Sequence, residues 1–135
     1  REARSDGNSL FLDGAEVTFS NYPTPAEVPW ADLGVSMVLE CTGAFRSVET
    51  LSQYFDQGVK KVVVAAPVND DRVLNVVMGC NDDLYDSDKY DIVTAASCTT
   101  NCIAPVVKVL NEELGRETRI ARMIRAPTET QMTTD

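Results

Sequence analysis

The residues best suited to chemistry lie in one short run, Ser97-Cys98-Thr99-Thr100-Asn101-Cys102. It follows a β-branched stretch and opens one with helical spacing, so a strand should end and a helix begin here. Unpaired backbone N–H groups and the positive end of the helix dipole meet at such a junction. They favour an anion, and a thiolate is one. Cys98 is therefore the candidate nucleophile, with the hydroxyls of Ser97 and Thr99 placed to hold an oxyanion or a phosphate. A small, buried cysteine at a capped helix start satisfies the same pattern, and the residue physics alone leaves the two readings level. Cys102, one turn further in, reads as a small apolar packing residue. The chain has four cysteines and no histidine. Without a secreted spacing or a C-x-x-C pair, they read as reduced thiols, with no metal centre.

The elements that must carry this junction can be traced upstream. Leu10–Leu12 and Val17–Phe19 alternate around Asp13-Gly14, the pattern of a β-hairpin. Pro23, Pro25 and Pro29 then forbid a long helix. Val35–Cys41 is an apolar strand-sized run closed by Thr42-Gly43. Ser47 can cap a helix with Val48, Leu51, Tyr54 and Phe55 on one face, and Gly58 stops it. Lys61–Ala66 is the next β-branched run, so strand, helix and strand form a βαβ unit in a parallel sheet. Further strands are expected at Val73–Met78 and Asp91–Ala95. The helix after Ser97 places Ile103, Val106, Val107, Leu110 and Leu114 at helical spacing up to Gly115, with Pro105 inside it. Ligand crevices in such α/β folds lie beyond the carboxyl ends of the strands.

Composition narrows the partners. The net charge of −9 opposes binding to nucleic acid or to an anionic membrane surface. No apolar run approaches the roughly 18 residues of a membrane span, and no signal-peptide pattern opens the chain, so the expected address is cytoplasmic. The chain starts at Arg1 without Met and stops at Asp135 without a terminating element, and reads as a piece of a longer protein. Charge changes near the end. Residues 1–115 carry 8 Lys/Arg against 18 Asp/Glu, whereas 116–135 carry 4 against 3, with Arg116, Arg119, Arg122 and Arg125 at every third position.

Ala95-Ala96-Ser97-Cys98-Thr99-Thr100-Asn101-Cys102-Ile103-Ala104-Pro105 resembles the active-site segment of the phosphorylating glyceraldehyde-3-phosphate dehydrogenases. Glu40–Phe45, Gly58–Val64 and Val76–Asn81 resemble stretches of the same family in the same order. The resemblance implies a partial Rossmann-type parallel sheet over residues 1–96, running into the active-site helix and a truncated start of the catalytic domain over 97–135. It implies NAD as cofactor and Cys98 as the catalytic nucleophile, with Ser97, Thr99 and Thr128 beside the substrate and Thr42-Gly43 facing the cofactor. The substrates would be glyceraldehyde 3-phosphate and inorganic phosphate, and the whole protein a homotetramer. Asp56–Lys60 and Ala66-Pro67-Val68 resemble a subgroup associated with arsenate handling, in which arsenate would replace phosphate. Erythrose-4-phosphate dehydrogenase shares the cysteine chemistry and is the enzymatic rival.

The chain also departs from the family. The G-x-G-x-x-G fingerprint and the acidic residue that would hold the adenine ribose are absent. Ala65 stands where a hydroxyl is expected near the cofactor. The family's catalytic histidine falls 27 positions after the cysteine, and here that position is Arg125, while Thr128-Glu129-Thr130-Gln131 keeps the register. Arginine stays protonated and offers no acceptor. Two accounts fit 116–126: compensating frameshifts that scramble the segment, or a divergent, non-catalytic member serving as an interaction module.

Overall fold

The computed structural model describes residues 2–6 and 9–115. Thr128 and Arg125, and with them the arginine-spaced segment, lie outside those residues. The first sheet is antiparallel, in the order β1 (Ala3–Asp6), β2 (Ser9–Leu12), β3 (Ala15–Val17). Its hairpin turns at Asp13-Gly14, as the sequence implies, with both residues at positive φ (50° and 83°), but the second strand is Ala15–Val17 and not the expected Val17–Phe19. β1 is an addition to the expected hairpin. Ala-Arg-Ser-Asp carries no apolar alternation and is held by pairing to β2 alone. Among the prolines the chain makes a single 3-10 turn, Pro25–Glu27.

The second sheet is parallel, in the order β4, β5, β7, β6. β4 is Met37–Glu40, β5 Lys61–Val64, β6 Leu74–Asn75 and β7 Ile92–Thr94. Helix α1 (Val48–Asp56) joins β4 to β5 and completes the βαβ unit. Ser47 caps it reciprocally: its Oγ accepts from Thr50 N–H at 3.3 Å, while Thr50 Oγ1 accepts from Ser47 N–H at 3.2 Å. The chain leaves α1 through Gly58, whose φ of 89° is the left-handed conformation glycine adopts freely. The core forms where α1 lies on the sheet. Leu51, Tyr54, Val59, Val62, Val64, Val68, Val73 and Ile92 are all buried there. The class is α/β, with the parallel sheet of a partial Rossmann-type domain.

Two expectations about extent are corrected. Val73–Met78 is strand for two residues only. Val73 and Val77 are buried from coil, so the apolar run reflects packing and not a ladder. Helix α2 (Cys98–Leu114) forms between Ser97 and Gly115 as expected, but it buries no residue. Val106, Val107, Val109, Leu110 and Leu114 are exposed. Among the described residues no helix is long and apolar enough to cross a membrane.

Candidate functional site

β7 runs toward Ala95, and Ala95 N–H donates to Val64 O at 2.9 Å, which carries the pairing with β5 one residue past the strand. The chain must then reverse within two residues to start α2. Ala96 accomplishes this at φ 54°, left-handed backbone for a residue with a Cβ, and it is buried. Such a conformation costs of order 1–3 kcal/mol and persists only where the surroundings over-determine it. Here they do. Ala96 N–H donates to Thr94 Oγ1 at 2.9 Å, and Asn101 Nδ2 donates to both Ala95 O and Ser97 O, at 2.7 and 2.9 Å.

Ser97 is the N-cap. Its Oγ accepts from Thr100 N–H at 3.0 Å and lies 2.8 Å from Thr100 Oγ1. That hydroxyl, expected beside the substrate, is thus already engaged in starting the helix. Cys98 is the first helical residue and is exposed, which removes the reading of a buried cysteine. Its Sγ lies 3.9 Å from Thr99 Oγ1, a contact at the outer limit for sulfur. Cys102 is also exposed, contrary to the packing role expected of it, because among the described residues no element covers that part of α2. All four cysteines are free thiols. No cluster of potential metal ligands occurs among the described residues.

The second part of the site lies at the carboxyl end of β4. Glu40 is 3% exposed, and its carboxyl group accepts from three donors: Thr42 N–H at 2.7 Å, Thr42 Oγ1 and Tyr54 Oη. Thr42 Oγ1 in turn accepts from Ala44 N–H at 3.1 Å, which folds the turn around Gly43 at φ 73°. The Thr42 side chain therefore shapes the turn, and the turn borders a cleft of about 220 Å³ whose walls include Tyr22, Pro23, Trp30, Phe45 and Tyr54. Burial, and then the hydrogen bond to Glu40, hold the Tyr54 phenol well above its ordinary range. Ala65, where a hydroxyl was expected, is exposed and gives its N–H to Glu40 O at 2.8 Å.

Sequence reasoning proposed Ser97, Cys98, Thr99, Thr42 and Gly43 and missed the residues that hold them. Glu40 could have been found as an acid closing an apolar strand, with a tyrosine on the buried face of the next helix. Nothing in the sequence points to Asn75, Thr94 or Ala96, because their roles exist only after β6 and β7 pair.

Two family models match parts of the chain. Residues 1–48 match the family model described as glyceraldehyde 3-phosphate dehydrogenase, NAD binding domain, and residues 97–135 the one described as its C-terminal domain. The chain is 51% identical over 134 residues to glyceraldehyde-3-phosphate dehydrogenase 3 of Nostoc sp. (strain PCC 7120), covering 99% of this chain and 40% of that protein. It is 41% identical to glyceraldehyde-3-phosphate dehydrogenase 2 of Danio rerio, over 99% of this chain and 39% of the relative. With glyceraldehyde-3-phosphate dehydrogenase 1 of Bacillus subtilis the identity is 37%, over 99% and 40%. The chain spans about two fifths of the length of these relatives.

Proposed function

Because this chain belongs to the glyceraldehyde-3-phosphate dehydrogenase family, we propose that it carries the nucleophile of an NAD-dependent oxidation of glyceraldehyde 3-phosphate. In this reading residues 1–96 supply the later part of the NAD-binding domain, and 97–135 the active-site helix and the start of the catalytic domain. The observation that carries it is the exposed Cys98 in the first turn of α2, directly beyond the carboxyl end of β7.

Cys98 Sγ attacks the aldehyde carbon, a C–S bond forms, and the carbonyl π pair moves to oxygen, which is protonated. Bound NAD supplies the two-electron oxidant for the adduct. As the adduct is oxidised to a thioester, its hydroxyl proton must leave. A phosphate oxygen then attacks the thioester carbonyl, the C–S bond breaks, and the thiolate is restored with 1,3-bisphosphoglycerate as product. Arsenate, an oxyanion of the same shape, would serve in place of phosphate. The cleft beside Thr42 would take part of the cofactor, and the aromatic walls of Trp30, Phe45 and Tyr54 support this reading. The family's cytoplasmic homotetramer is the setting proposed for the whole protein.

Arg125 at the proton-accepting position favours a second reading, a non-catalytic member of the family. Loss of a general base costs about 10²–10⁴-fold. The test splices this chain into the matching stretch of the Nostoc relative, with Arg125 or with Arg125→His. Oxidation of glyceraldehyde 3-phosphate should be at least about a hundredfold faster with histidine. Equal rates would refute the role given to position 125. No activity in either, with Cys98 alkylated no faster than Cys41, would refute the nucleophile itself.

A further inference from the structure

Thr94 is 1% exposed, and its hydroxyl has one proton to give. Where that proton goes decides whether Thr94 can accept from Ala96. It goes to Asn75 Oδ1, at 2.7 Å. Asn75 and Thr94 share a rung of the parallel β6–β7 pair, which brings the two side chains together. The orientation of the Asn75 amide is itself fixed. Its Nδ2 donates to Val68 O at 2.8 Å, while Oδ1 accepts from Val68 N–H at 3.1 Å as well as from Thr94. Both lone pairs of Oδ1 are then filled, and the polarity of the chain of bonds has one solution. Thr94 must donate to Asn75 and accept from Ala96 N–H. Asn81 Nδ2 closes the arrangement from below by donating to Asn75 O at 3.0 Å.

We infer that Asn75 is a positioning residue for the Cys98 sulfur, acting through the Thr94 hydroxyl on the left-handed turn at Ala96. This rests on Cys98 being the nucleophile. The turn at Ala96 is two residues from the sulfur and is held in an unfavourable conformation, so the bonds that hold it set the direction in which α2, and Sγ with it, leaves the sheet. Asn75 touches no reacting atom. Its effect is to orient Thr94, and Thr94 then orients the turn.

The test is alkylation of the 135-residue chain by iodoacetamide at neutral pH, with each thiol followed by peptide mass analysis. Cys41 is exposed like Cys98 and serves as the internal reference, while half-buried Cys80 reports loosening of the whole chain. Thr94→Val, of the same shape without the hydroxyl, and Asn75→Leu should each slow Cys98 about fivefold, the effect of one lost hydrogen bond on orienting the thiol. Thr94→Ser keeps the hydroxyl and should hold Cys98 within about twofold of the parent, with Cys41 steady throughout. Should Asn75→Leu or Thr94→Val unfold the chain, Cys80 accelerates, and Thr94→Ser against the parent decides: a Cys98 rate lowered about fivefold in Thr94→Ser overturns the inference. Unchanged Cys98 rates in folded Asn75→Leu overturn it equally. A parent Cys98 no faster than Cys41 removes the nucleophile reading on which the inference stands.

Discussion

Replacing Glu40 with alanine takes one acceptor away from three donors at the heart of the βαβ unit. The consequences differ by donor. Thr42 is exposed, so its N–H and hydroxyl can turn to water at little cost. Tyr54 is only 4% exposed, and its hydroxyl has no such exit. An orphaned buried donor costs about 1–3 kcal/mol, and the space vacated by the side chain adds to this. Relief from burying an acid works in the opposite direction. Together these predict a net loss of about 2–3 kcal/mol for Glu40→Ala. Glu40→Gln keeps one acceptor and offers an N–H₂ that the Tyr54 oxygen can accept, and should lose about 1 kcal/mol. Trp30, the single tryptophan, has its ring centroid 5.7 Å from that of Tyr54. Its fluorescence during urea unfolding therefore reads the affected spot directly. A double-mutant cycle with Tyr54→Phe should return a coupling of about 1 kcal/mol or more. A coupling of zero, with Glu40→Ala as stable as the parent, would show that the buried hydrogen bonds contribute nothing and refute the reasoning. The pH dependence has a definite sign. Tyr54 is held neutral in the fold, with its pKa raised above the ordinary 10. Its contribution is complete below about pH 10 and disappears as pH rises through the higher folded value.

Two further outcomes are expected. Ala96→Val places a β-branched side chain at φ 54° and should cost about 2 kcal/mol or more in urea unfolding, whereas Ala96→Gly should stay within about 1 kcal/mol of the parent, because lost strain and lost burial oppose each other; equal effects of the two would remove the strain argument. Hydrogen bonds from the Arg72 side chain, and then from its backbone N–H, hold the Asp70 carboxyl down at about 2, so its contribution is present above the ordinary 3.8 and fades as pH falls toward 2; carboxyl-carbon NMR should follow this midpoint, and Arg72→Met should return it toward 3.8.

The parts of this fold legible in the sequence are those specified by neighbours along the chain. Helix α1 is one: Ser47, the spacing of Leu51 and Tyr54, and Gly58 all agree on its limits. The start of α2 at Ser97 and its end at Gly115 were equally readable. Burial was less so. The apolar stripe of α2 predicts a covered face, yet a sequence does not say which element covers it, and among the described residues none does. Val73–Met78 misled for a related reason, since a buried valine in coil and one in a strand give the same letter. The candidate site divides the same way. Cys98 stood out through its place in a local pattern. Asn75 did not, because an asparagine between two valine-rich stretches acquires meaning only through Thr94, which lies far along the chain.

The βαβ unit also sets an order of events in time. Its strands and helix run from Met37 to Val64, and Val38, Leu51, Tyr54, Val59, Val62 and Val64 form much of the core with partners close in sequence. Contacts of short separation close small loops and form early. The turn before Cys98 depends on Val64, Asn75 and Thr94 having already met, so in a newly made chain the scaffold matures first and the Cys98 sulfur finds its bearing only at the end.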